Sequence, residues 1–254
     1  MNKAVKQQKY KAIISSDWNQ CLAPCRPFDP IIYNYPDLSF DLTKIFKEYT
    51  GNKISLGTAN ERIFNLLPEP LSIKQMDDYL YDSFVTYKGV PELIDWCNKN
   101  NILFMINTTG LMGYFQRIYA NSLLPKVPVI SANSLIQYQY SETDPPQIYD
   151  LKEIEDKGKN TAQALRYFSI SESKIIIIGD SGGDGPHFEW GKTNKAYIIG
   201  SMTKQSLMDY CNKKKININL FFGSTYLTNE VRIVENEMLF DFIELSSVFE
   251  RISE

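Results

Sequence analysis

Short apolar runs that stop at acidic or glycine-rich turns alternate with amphipathic stretches through most of this chain. Residues 10–16, YKAIISS, are rich in β-branched side chains and end at Asp17-Trp18-Asn19, the pattern of a strand buried on both faces of a parallel sheet. A loop carrying Pro24, Pro27 and Pro30 follows. From Leu38 to Thr86 the period becomes helical: DLTKIFKEY, then ANERIFNLL stopped by Pro68 and Pro70, then SIKQMDDYLYDSF with Ser72 placed to cap it. No strand pattern interrupts that stretch. Its apolar stripe, Ile45, Phe46 and Tyr49 with Ile63, Phe64 and Leu67, reads as helix packing.

From Gly89 strands and helices alternate. The order is helix VPELIDWCNKN with Pro91 in its first turn, strand ILFMI, a turn at NTTG, helix LMGYFQRIYANSL and a strand around PVISA. The polar stretch SETDPPQ reads as a hairpin or loop. Helix KGKNTAQALRYF, strand KIIIIGD and strand KAYIIG come next, followed by a helix near Ser206 to Lys214, strand INLFF and a last helix near Glu237 to Ile252. The alternation predicts an α/β fold, a doubly wound, Rossmann-like parallel sheet with ligands at the carboxyl ends of its strands. The helical stretch predicts a small inserted module: a core of residues 1–25 and 88–254, and a helical cap of residues 26–87.

Composition narrows the function classes. With 254 residues, the chain has room for one core and one insertion. Its 27 basic and 30 acidic residues give a formal charge of -3, without the positive footprint a nucleic-acid binder needs. The N-terminal run of apolar residues is too short for a signal peptide, and no stretch of about 18 apolar residues follows. A soluble or cytoplasmic protein is therefore expected, with export by a route lacking a signal peptide left open. Cys21, Cys25, Cys97 and Cys211 are too few and scattered for a disulfide framework. Cys21 and Cys25 would need ligands beyond the distant His187 to hold zinc.

The segment IIIIGDSGGDG, residues 175–185, carries the clearest chemistry: a buried strand runs into two aspartates four apart in a glycine-rich turn. Asp180 and Asp184 suit a hard cation such as Mg²⁺, which takes one or two carboxylates and keeps several waters. Either could instead cap a turn. Asp17 ends the first strand, so its carboxylate is expected on the same sheet edge. Asn107-Thr108-Thr109-Gly110 offers hydroxyls and N–H groups suited to phosphate oxygens. Lys157, opening a helix in EDKGKN, could neutralise a phosphate or the Asp17 carboxylate.

In sequence order, SDWNQCL, FMINTTG, Lys157-Gly158 and Gly179-Asp180 with Asp184 four residues later resemble the four motifs of the haloacid dehalogenase superfamily. The helix GVPELIDWCNKNNILF resembles the segment before the second motif in phosphoserine-phosphatase-like members. Lys157 precedes Asp180 by 23 residues, a spacing typical of such members. The second motif falls on Thr108 with Thr109 second, and the third on Lys157 with Lys159 second. The resemblance covers about a third of the chain. It implies a phosphatase in which Asp17 attacks phosphorus to form an aspartyl-phosphate that water then hydrolyses. Mg²⁺ would be held by the Asp17 carboxylate, the Asn19 backbone carbonyl and Asp180, with Asp184 orienting water on the ion. Lys157 and Thr108 would share the charge of the transferring phosphoryl group. Residues 26–87 would correspond to the helical cap that chooses the substrate and excludes water.

The pattern departs at Asn19, where phosphatases of the family usually have Asp to protonate the leaving oxygen. An amide cannot do this. Such help is worth about a hundred- to ten-thousand-fold, so good leaving groups are favoured: aryl phosphates on small molecules, or a phosphotyrosine-bearing protein. A catalytically weakened phospho-ligand binding module and a carbon–phosphorus hydrolase, whose members also lack this Asp, are the alternatives. His187 stands three residues after Asp184 and is either structural or the missing proton carrier. Trp18 and Trp190 are candidates for core or pocket wall.

Overall fold

A computed structural model describes residues 9–51, 53–171 and 174–253. The N-terminal residues 1–8, part of the leader reading and of the expected core, lie outside these. Seven parallel strands form one sheet: β1 (Ala12–Ser16), β2 (Ile102–Leu111), β3 (Val129–Asn133), β4 (Gln147–Asp150), β5 (Ile175–Gly179), β6 (Tyr197–Lys204) and β7 (Leu220–Tyr226). Their order across the sheet is β4-β3-β2-β1-β5-β6-β7. The chain steps outward from β1 to β4, returns to the other side of β1 at β5, and steps outward again. The order therefore reverses between β1 and β5, and a crevice opens at their carboxyl ends.

Alternate residues of the central strands serve opposite faces. Ile13, Leu103, Met105, Ile175 and Ile177 pack with Ala164, Leu165, Phe188 and Leu207, which belong to α7 (Asp156–Phe168), α8 (Gly185–Thr193) and α9 (Gln205–Lys214). Ile14, Phe104, Ile106, Ile176 and Ile178 pack with Leu93, Ile94 and Phe249, from α5 (Val90–Lys99) and α11 (Leu245–Ser253). The doubly wound α/β sheet expected from the sequence is the observed fold.

Between β1 and α5 the described residues form helices α1 (Asp29–Asn34), α2 (Ser39–Thr50), α3 (Leu56–Leu66) and α4 (Ile73–Ser83), with a short 3₁₀ turn at Pro36–Leu38. Ser72 caps α4 through a reciprocal capping box with Gln75. Glu153, just before α7, accepts the backbone N–H groups of Leu56 and Gly57 at the start of α3 (2.9 and 3.1 Å). Asn60 and Asn133 exchange amide hydrogen bonds (3.1 and 2.7 Å). Arg117 of α6 (Met112–Ala120) grips Asp77 of α4 with two parallel bonds of 2.8 and 2.9 Å. The helices are thus tied to the sheet's loops at three places.

Several elements differ from the sequence pattern. Residues NTTG are the end of β2 rather than a turn, extended to Leu111 by renewed pairing with Asn133 after a register shift. The stretch after SETDPP contains β4, a four-residue edge strand too short to show alternation. GPHFEWGKT is helical despite two glycines and a proline, because it packs on β5 and β6. The expected last helix is broken: α10 (Val234–Glu237), a 3₁₀ turn at Phe242–Glu244, then α11. The break lets the Phe242 ring stack on Tyr87, with the Phe242 N–H donated to the Lys88 carbonyl (2.8 Å). Phe64, assigned to the packing stripe, is 58% exposed, while Ile63 is fully buried.

Glu237 is fully buried, accepting from Tyr87 and Tyr226 hydroxyls and from Arg232 Nε (2.8 Å). Arg232 also donates to the Gln20 carbonyl at 2.9 Å, bracing the loop after β1. Glu237→Ala, which strands a buried guanidinium and two phenols, is expected to cost about 3–5 kcal/mol, read as the loss of unfolding free energy in urea.

Candidate active site

The two strands flanking the switch point deliver the acidic groups. Asp17 follows β1 directly, its N–H donated to the Ile178 carbonyl of β5 at 3.0 Å. β5 ends at Gly179, and Asp184 closes the 3₁₀ turn of Gly182–Asp184. Asp184 Oδ2 reaches back to accept the N–H groups of Asp180 and Ser181 at 2.9 and 3.3 Å. Gly179 makes room for this, since a Cβ there would lie 2.6 Å from Asp184 Cγ. Asp17, Asp180 and Asp184, all buried, bring one carboxylate oxygen each within 4.8 Å of one another.

Lys157, in the first turn of α7, bridges two of them: Nζ lies 2.6 Å from Asp184 Oδ1 and 3.2 Å from Asp17 Oδ1, with the side chain 2% exposed. Beneath it the Asn107 amide donates to Ser15 Oγ (3.0 Å), Thr161 Oγ1 (3.1 Å) and the Lys157 carbonyl (2.9 Å). This buried network locks β1, β2 and the start of α7 together and fixes the lysine's origin. Asp180 Oδ2 contacts Lys204 Nζ at 2.7 Å and Arg232 Nη1 at 3.5 Å, neither with hydrogen-bond alignment.

These positions set the electrostatics. Burial, reinforced by Asp184 and Asp180 and opposed by Lys157, pushes the Asp17 carboxyl up to about 7. Burial would depress Lys157, but Asp17 and Asp184 hold its ammonium above the ordinary lysine range. Asp17 Oδ1 and Asp180 Oδ2 are buried and accept no hydrogen bond. Acceptor-only oxygens converging this closely, with two of them unsatisfied, fit a hard divalent cation.

The remaining expected residues fall into distinct places. Thr108 is fully buried, its hydroxyl donating to Asn19 Oδ1 at 3.0 Å, whereas Thr109 lies on the wall of the cavity above the aspartates. The Asn19 amide turns towards the Cys25 carbonyl and sulfur (3.4 and 3.5 Å). Lys159 points away, 69% exposed and paired with Asp156. His187 is fully buried, held well below its ordinary pKa by burial and then by Lys157, and therefore neutral. Its Nε2 meets Thr161 Oγ1 at 3.1 Å and its ring stacks on Trp190. It packs in the layer that supports the cavity rather than on its wall. Trp18 is likewise buried, edge-on to Phe115.

The cavity also has walls the sequence pattern did not single out as chemical: Phe46, Tyr49 and Thr50 of α2, Gln20, and Lys204. Tyr49 was assigned to helix packing. It is buried, but it shares the cavity wall with Thr109 and Lys157. Lys204 ends β6, four residues past the apolar run that marked that strand. Thr161 had a legible signal, standing one helical turn after Lys157.

No protein-family model and no curated protein matches this sequence. Solved structures do. A phosphoserine phosphatase with a phospho-aspartyl intermediate analogue superposes with a TM-score of 0.63 at 14% identity, covering 94% of this chain and 99% of the other. A HAD family hydrolase from Salmonella enterica serovar Typhi gives 0.63 at 15%, covering 96% and 73%. Cytosolic 5′-nucleotidase IIIB bound to cytidine gives 0.54 at 14%, covering 95% and 86%. The chain shares its fold with these phosphatases and HAD family hydrolases. No helix among the described residues is long and apolar enough to cross a membrane.

Proposed function

We propose that this protein hydrolyses phosphomonoesters with a divalent cation, Mg²⁺, through an aspartyl-phosphate on Asp17. The observation that carries this is the convergence of three buried carboxylates and one buried lysine at the switch point of the sheet. The phosphatases among its structural neighbours support the same chemistry.

In this reading the Asp17 carboxylate, the Asn19 backbone carbonyl and Asp180 would hold the cation, with the Asp184 carboxylate beside them. Bound there, Mg²⁺ supplies charge neutralisation for the phosphoryl oxygens. Asp17 attacks phosphorus, the ester oxygen leaves, and water then cleaves the acyl phosphate. Lys157 offsets the charge of the nucleophile and of the phosphoryl group. The Thr109 hydroxyl, on the cavity wall, contacts phosphate, and Thr108 instead orients Asn19. Residues 26–87 act as a cap on the core of residues 1–25 and 88–254, contributing Phe46, Tyr49 and Thr50 to the pocket. Phosphorylated small molecules and phosphotyrosine with good leaving groups suit a site whose residue 19 is an amide.

The test is release of p-nitrophenol from its phosphate. Activity that needs Mg²⁺ and disappears with chelator is expected. Absence of release by a protein shown to bind Mg²⁺ would overturn this reading. It would favour the second one, a phospho-ligand binding module, which the Asn19 side chain's engagement by Thr108 supports.

A further inference from the structure

We propose that the Tyr49 hydroxyl donates the proton to the leaving oxygen, so that alkyl as well as aryl phosphomonoesters are substrates. This rests on the phosphatase reading above. Hydrolysis of an alkyl phosphate expels a strongly basic alkoxide, which needs a proton as the bond to phosphorus breaks. Asn19 has none to give, and its amide is engaged with Thr108 and Cys25.

The other titratable side chains lining the cavity are committed. Asp17 is the nucleophile. Asp184 has one oxygen on Lys157 and the other on two backbone N–H groups. Lys157 lies between two carboxylates, and Lys204 lies against Asp180. His187 is outside the cavity wall. Tyr49 remains. It comes from α2, in the helical segment rather than the sheet that carries Asp17. In an in-line displacement the leaving oxygen lies opposite the nucleophile, and Tyr49 lines the same cavity as Asp17 from a different element. The hydroxyl lies over the glycine-rich turn after β5, where a Cβ built on Gly183 would come within 3.7 Å of it. Burial holds the phenol above its ordinary pKa, with Thr109 and Lys157 opposing and Asp17 and Asp184 reinforcing it, so it carries its proton at neutral pH.

The protons balance over the two half-reactions. In the first, an Asp17 oxygen bonds to phosphorus, the phosphorus–ester bond breaks, and Tyr49 gives its proton to the departing alkoxide. In the second, water attacks phosphorus and passes a proton to the Tyr49 phenolate. The acyl-phosphate bond then breaks, and phosphate and the Asp17 carboxylate are released. A phenol is a weaker acid than a carboxylic acid, so a preference for aryl substrates persists but is narrowed.

The experiment compares p-nitrophenyl phosphate with glycerol 2-phosphate for the parent, Tyr49→Phe, Asn19→Asp and the double variant. Taking the ratio of the two rates on one sample cancels any difference in the amount of folded protein. Tyr49→Phe is expected to lower the alkyl-to-aryl ratio by about a hundredfold. In the Asn19→Asp background the loss should shrink to about threefold, because the new carboxylic acid takes over the same proton. An unchanged ratio in an active, Mg²⁺-dependent parent would make Tyr49 a wall residue only and leave the phosphatase reading intact. A parent inactive on both substrates would overturn both.

Discussion

Asp17→Asn should reduce phosphate release to below about a thousandth of the parent rate, while making the protein more resistant to heat in the presence of chelator. The two effects have one cause. Asp17 is a buried carboxylate facing Asp180 and Asp184; burial first, and then that crowding against the opposing Lys157, holds its carboxyl up to about 7. The neutral amide relieves the crowding and leaves Lys157 its 2.6 Å bond to Asp184. A gain of about 1–2 kcal/mol would raise the melting temperature by about 2–8 °C. Scanning calorimetry in chelator near pH 7.5 measures it. A melting temperature below that of the parent would mean that the Asp17–Lys157 pair is net stabilising and that the acidic cluster is not strained.

Lys157→Met should move stability the opposite way. The lysine is the buried cation between two buried carboxylates, and its removal leaves both uncompensated at a cost of about 3–5 kcal/mol. The melting temperature should fall by about 6–20 °C, and saturating Mg²⁺ should recover part of the loss by supplying positive charge to the same oxygens. Calorimetry with and without the ion reads this without reference to turnover. A variant that melts like the parent would show that protonation of Asp17 already satisfies the cluster.

The sequence carried the centre of the site and little of its roof. Asp17, Asp180 and Asp184 were legible because each ends or follows a run of buried strand residues, and strand ends of a parallel sheet share one edge. Lys157 was legible only through its order and spacing. Thr108 and Thr109 could not be separated from the pattern: strand β2 runs through both, and successive strand residues face opposite ways. That alternation leaves Thr109 on the cavity wall and Thr108 beneath it.

Tyr49 shows a different limit. Its spacing with Ile45 is that of a packing stripe, and it is buried as a stripe residue should be. Only tertiary packing, with α2 against α3 and the start of α3 tied to Glu153 distant in sequence, brings it to the wall of the cavity that Lys157 also lines. Helix α8 escaped because its glycines and proline are poor helix formers, and packing on β5 and β6 overrides them.

The central place of β1 shapes how the molecule must be made. This strand is near the front of the chain, yet its two neighbours are β2, beginning at Ile102, and β5, beginning at Ile175. During synthesis AIISS therefore waits, apolar and unpaired on one edge, until more than half of the chain has been added. Such distant pairing closes large loops before any reward is gained, which slows folding and leaves an aggregation-prone edge open meanwhile. Asp17 and Asp180 consequently meet only late, so an incomplete chain ending before Asp180 holds Asp17 without the partners its proposed chemistry requires.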